Sequence, residues 1–112
     1  MKPILPTLRE KKRYIVFEVI TPSPAAQGDA LAAIKDAARS LLGTATLGKA
    51  GLRPIEAWNK DVQRGVIRVN RRYLDHARAT LCCVQKIAAQ RAIVHSVSAS
   101  GSLKKALTHL AG

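Results

Sequence analysis

Aromatic residues are scarce in this chain: Tyr14, Phe17, Trp58 and Tyr73 are 4% of its 112 residues. That is too few for a surface that reads single-stranded bases mainly by stacking. Acidic residues are scarce as well, 7 Asp plus Glu in all, and none follows Asp75. Cysteine is confined to the adjacent Cys82 and Cys83. Helical neighbours point about 100° apart, so no ordinary disulfide joins them, and a reducing, intracellular setting is expected. No apolar run reaches the roughly 18 residues of a membrane span. No signal-peptide pattern is visible, so a cytoplasmic chain with no membrane partner is expected.

Catalytic signatures are missing too. His76, His95 and His109 are scattered, and no Cys/His spacing matches a zinc site. There is no Gly-rich nucleotide loop. Neither a catalytic residue, a metal ligand nor a protein-bound cofactor is expected.

What the chain does have is positive charge. It carries 19 Lys plus Arg, for a formal net charge of +12. Self-repulsion of this size opposes a compact monomer, and a polyanionic partner relieves it. Nucleic acid is the commonest such partner, because neutralising phosphates releases condensed counterions. A hydrophobic content of 47% is enough for a core, so the chain is not a disordered basic tail. The length suits one domain.

Residues 1–13 read as a basic arm carrying Lys2, Arg9, Lys11, Lys12 and Arg13, ahead of a single domain over 14–112. YIVFEVI (14–20) is rich in β-branched and aromatic types and reads as a strand. A helix is expected over 28–42, with Leu31, Ile34, Ala38 and Leu41 at helical spacing and Gly43 just past its end. Residues 44–51 read as loop, followed by a strand over Leu52–Trp58, a hairpin-like connection and a strand over 65–69. Leu74, Ala77, Leu81, Val84 and Ala88 predict a second helix over 71–89. A last strand over 91–99 precedes a short helix that starts near Ser102. The order β-α-β-β-α-β-α predicts an α+β sandwich: an antiparallel sheet with ferredoxin-like, RNA-recognition-module-like topology and an extra C-terminal helix.

Three basic segments could hold phosphate. Arg64, Arg68, Arg71, Arg72 and Arg78 run from a strand into the first turns of a helix. Arginine suits bidentate phosphate contact, and Asp61 and Asp75 could neutralise at most two of the five. The second segment is Ser100, Gly101, Ser102, Lys104 and Lys105. Ser102 is a plausible N-cap, yet two lysines in a first helical turn oppose the helix dipole, and a bound anion would relieve that conflict. An ordinary serine cap with solvated lysines is the equal alternative. The third segment is the arm, through Lys11, Lys12 and Arg13.

The open face of the sheet is expected to display Tyr14, Val16, Trp58 and Val66, with Glu56 and Arg68. The third strand, RGVIRVN, offers no aromatic for base stacking. A part-apolar face of this kind points to protein contact, unless a terminal segment covers it. An acyl-phosphate enzyme on the same topology would hold phosphate with an arginine after the first strand. The loop here, TPSPAAQG, has none.

Four stretches carry a family likeness: LREKKRYIVFEVI (8–20), GLRPIEAW (51–58), GVIRVNRRYLDHARATL (65–81) and SVSASGSLKKA (96–106). On these the chain resembles the archaeal ribonuclease P protein component 2 family, counterpart of the eukaryotic Pop-five subunit. The third and fourth stretches are the most specific. The family's late motif is Ser-Gly-Thr before a helix; here it is Ser100-Gly101-Ser102, which keeps the hydroxyl. The resemblance implies a subunit of the endonuclease ribonuclease P, in which the RNA removes the 5′ leader of precursor tRNA. It implies Mg²⁺ carried by that RNA and none by the protein. It also implies a partner, ribonuclease P protein component 3, and self-association within a heterotetramer. A stand-alone RNA- or ribosome-binding module of the same fold is the alternative.

Overall fold

In a computed structural model that describes residues 11–111, the chain folds around one four-stranded antiparallel sheet. The elements are β1 (Lys12–Ile20), α1 (Gln27–Ala50), β2 (Arg53–Asn59), β3 (Arg64–Asn70) and a 3₁₀ turn (Arg71–Tyr73). They continue with α2 (Leu74–Cys83), β4 (Lys86–Ile87), β5 (Gln90–Arg91), β6 (Ile93–Ser100) and α3 (Leu103–Thr108). The sheet order β2-β3-β1-β6 is that of a ferredoxin-like fold, as the element order implied. Strand β1 takes in Lys12 and Arg13, which were expected in the arm. Lys2 and Arg9 lie outside the described residues.

Alternation along the central strands separates two cores. On one face Ile15, Phe17 and Val19 of β1 and Ile67 and Val69 of β3 pack beneath Ala30 and Ile34 of α1 and Ala77 and Leu81 of α2. Gly65 is closely packed there. A Cβ at this position would stand 2.7 Å from Phe17 Cζ and 3.1 Å from Trp58 Cε3. On the other face Val16 and Val66 are buried under Ala106 of α3, with Tyr14, Ile55, Leu103 and Leu110 around them.

That second core corrects the expectation of an open sheet face. Val16 and Val66 are 0% and 1% exposed, and Tyr14 packs beside them. Trp58 is not on this face. Ile55 pairs with Val66, which puts Ile55 and Ala57 on the α3 side, and alternation carries Trp58 to the opposite side against Phe17, with ring centroids 6.3 Å apart. The irregularity after Ile55 inserts two residues, Glu56 and Ala57, and so leaves the alternation intact; the pairing of β2 with β3 sets which side Trp58 takes.

Two further expectations change. Residues 44–50 are helical rather than loop. Gly43, at φ 77 and ψ 163, kinks the helix, and Gly51, at φ 62, ends it. Helix α2 stops at Cys83, not at residue 89. Val84 turns extended but stays buried, and Ile87 reaches the same core from the β4–β5 hairpin. The apolar spacing that read as a longer helix is thus met by two different elements, while Ala88 is exposed at the hairpin turn.

A side chain fastens the remaining loop. Gln63, at φ 53, donates from Nε2 to the Val19 carbonyl at 2.9 Å and accepts from the Ala25 amide. It ties the β2–β3 turn to the segment that leads into α1.

Candidate nucleic-acid interface

Antiparallel pairing brings distant basic segments to one edge of the sheet. The start of β1 lies beside the end of β3, with Lys12 opposite Asn70, Arg13 opposite Val69 and Tyr14 opposite Arg68. The end of β6 lies on the other side, with Ser100 opposite Tyr14. The start of β2 adds Arg53, opposite Arg68. The basic arm's last residues, the arginines at the end of β3 and the Ser-Gly-Ser segment are separate in sequence and adjoin in the fold.

Asn70 is the joint that sequence reasoning missed. Its side chain is buried, donates from Nδ2 to the Lys49 carbonyl at 2.7 Å and accepts from Lys12 Nζ. One amide therefore satisfies the C-terminal end of α1 and positions a lysine. The Arg-Val-Asn-Arg run held the signal: a buried asparagine needs partners on both sides.

Gly101 brings Arg13 into the same surface. A Cβ on Gly101 would meet Arg13 Nη1 at 3.0 Å, so the guanidinium rests directly on this backbone. The Ser100 hydroxyl accepts from the Ser102 amide at 3.1 Å, and the Ser102 hydroxyl accepts from the Lys105 amide at 3.4 Å. The Ser102 hydroxyl thus caps the short α3, and the Ser100 hydroxyl holds the turn that leads into it. Lys104 and Lys105 stand exposed on its first turn.

The arginine series divides. Arg68 is half-buried on the α3 face, and its Nε is buried with no hydrogen-bond partner among the described residues. Arg71 and Arg72 are exposed. None of these three makes an ion pair among the described residues. Arg64 is a different case. It lies at the far end of β3, about 23 Å from Arg71 at strand rise. It donates from Nε and Nη2 to Glu18 at 3.3 and 3.2 Å and from Nη1 to the His109 carbonyl at 2.9 Å. Its guanidinium pins the end of α3 to the sheet. Arg78 pairs with Asp75 at 3.8 Å on the exposed face of α2. The carboxylate that neutralises Arg64 is therefore Glu18, not Asp61.

Among the described residues, no group of three His, Cys, Asp or Glu side chains could hold a metal ion. No helix among them is long and apolar enough to cross a membrane. What this edge offers is a row of cations at one end of the sheet: Lys11, Lys12, Arg13, Arg53, Arg68, Arg71, Arg72, Lys104 and Lys105. Such a row engages phosphates by position and charge, without reading base edges.

Residues 13–111 match the family model described as Rpp14/Pop5. A ribonuclease P protein component 2 of Methanosarcina acetivorans is 36% identical over 95% of this chain and 78% of its own length. One of Thermococcus gammatolerans is 35% identical over 93% of this chain and 86% of its own. A chain in a cryo-EM structure of yeast ribonuclease MRP shares the fold, with a TM-score of 0.64 and 13% identity over 85% of this chain and 77% of that one. With a family match over nearly the whole chain and relatives of this identity, the protein belongs to the Rpp14/Pop5 family.

Proposed function

We propose that this protein is a subunit of ribonuclease P that braces the catalytic RNA through its backbone. The observation that carries the reading is the basic edge, where cations from β1, β2, β3 and α3 converge without carboxylate partners among the described residues. The names of the relatives support the assembly to which that edge belongs.

In this reading the RNA cuts the 5′ leader from precursor tRNA and carries the Mg²⁺ that the reaction needs. The protein lowers the repulsion between packed phosphates, so the RNA reaches its active fold at less Mg²⁺. It works in the cytoplasm beside ribonuclease P protein component 3, with two copies of each subunit in a heterotetramer. Precursor tRNA is met only through the RNA.

Reconstitution tests this. Cognate RNA with component 3 should cleave precursor tRNA faster at low Mg²⁺ when this chain is added, and the chain alone should cleave nothing. Equal cleavage without the chain would refute the proposal.

A further inference from the structure

A second surface lies at the opposite end of the sheet. Ile20 and Ile93 are cross-strand partners, the last pair of the β1–β6 ladder. They are also 49% and 62% exposed, a contiguous apolar patch. They line a groove of about 730 Å³ together with Pro22, Lys86 and Arg91. Lys86 and Arg91 stand directly opposite each other across β4 and β5. Like charges in that position repel, and among the described residues neither makes an ion pair. Beside the groove runs β6, an edge strand whose only ladder among the described residues is with β1.

We infer that this corner docks an extended protein segment that places an apolar side chain on Ile20 and Ile93 and a carboxylate between Lys86 and Arg91. The segment adds to the outer edge of β6, unpaired among the described residues, where main-chain hydrogen bonds supply affinity and the groove supplies specificity. The carboxylate removes the repulsion in the hairpin. A second copy of this chain is a poor occupant here, because it would bring its own Lys86 and Arg91 to the same cations. RNA is a poor occupant too, since two aliphatic side chains offer a base neither a stacking plane nor a hydrogen bond. Ile93 begins β6 and Ser100 ends it, which separates the groove from the basic edge by about 23 Å at strand rise. Both surfaces can be occupied together. The inference draws on the subunit reading for the existence of a protein partner, not for its place.

The probe is the pentapeptide Glu-Val-Ile-Val-Glu, titrated into the isotope-labelled full chain and followed by amide NMR shifts. Shifts should concentrate at Ile20, Lys86, Arg91 and Ile93, and the β6 amides should gain exchange protection. Ile93→Ser and Lys86→Glu should each weaken binding about tenfold. Ile93 is exposed, so a dispersed spectrum will show that its variant is folded. Three outcomes overturn the inference: no shift at these residues at millimolar peptide, equal binding of Lys-Val-Ile-Val-Lys, or the same residues shifting with an RNA hairpin. An RNA hairpin that fails to shift Arg13, Arg68 or Arg71 bears on the proposed function instead, and leaves the groove standing.

Discussion

The backbone amide of Arg71 donates to the carbonyl of Lys11 at 2.7 Å. The residue that leaves β3 is thereby tied to the residue that enters β1, across 60 positions of sequence. This bond joins two of the basic segments and holds their side chains at one edge. A flexible arm would lose conformational entropy on binding RNA; one whose end is already a strand loses less.

The division of the arginines has a measurable consequence. Arg68→Gln and Arg71→Gln should each lower the slope of log affinity for folded RNA against log salt by about one unit. Arg64→Gln should leave that slope unchanged. It should instead cost about 1–3 kcal/mol of stability, because Glu18 and the His109 carbonyl lose a charged donor. Anisotropy titrations over a salt series and thermal melts separate the two classes. A slope change in the Arg64 variant would show that this arginine does reach the RNA.

Gly65 tests the packing of the main core. Gly65→Ala drives a methyl group into the Phe17 and Trp58 rings, and overpacking of this kind costs about 1–3 kcal/mol. The melting temperature should fall by roughly 4–8 °C for each kcal/mol in a domain of this size. Phe17→Leu on the Gly65→Ala background should recover part of the loss, as expected for residues in contact. Additive losses would contradict the close approach.

The β4–β5 hairpin carries removable strain. Ala88 and Ala89 both sit at positive φ, 51° and 67°, in a two-residue turn. Such turns favour Asn-Gly, since a Cβ is disfavoured in the left-handed region. Ala88→Asn with Ala89→Gly should raise stability by about 1 kcal/mol, read as a higher melting temperature. An unchanged or lower value would place the turn in another conformation.

Local signals were the legible ones. YIVFEVI declared β1 because β-branched and aromatic residues fit a half-buried pleat. Gly43 declared a break in α1, and Ser102 declared a cap, because each states a backbone requirement at its own position. The boundary of α2 was not legible. Val84 and Ile87 needed burial, and burial can be met by a helix face or by a hairpin. The side of the sheet on which Trp58 lies was not legible either, because it depends on which β2 residue pairs with Val66.

The same distinction governs the site. The sequence by itself determined that this protein carries a large excess of positive charge, few stacking aromatics and the pattern of an RNA-recognition-like sandwich. Those properties belong to composition and local periodicity. Only the tertiary structure decided which charges act together. Antiparallel pairing set Arg13, Arg68, Arg71 and Gly101 at one edge, sent Arg64 to the far end against Glu18, and laid α3 over Val16 and Val66. Neighbourhood across a sheet depends on strand order and register, and these are settled by the packing of the whole chain.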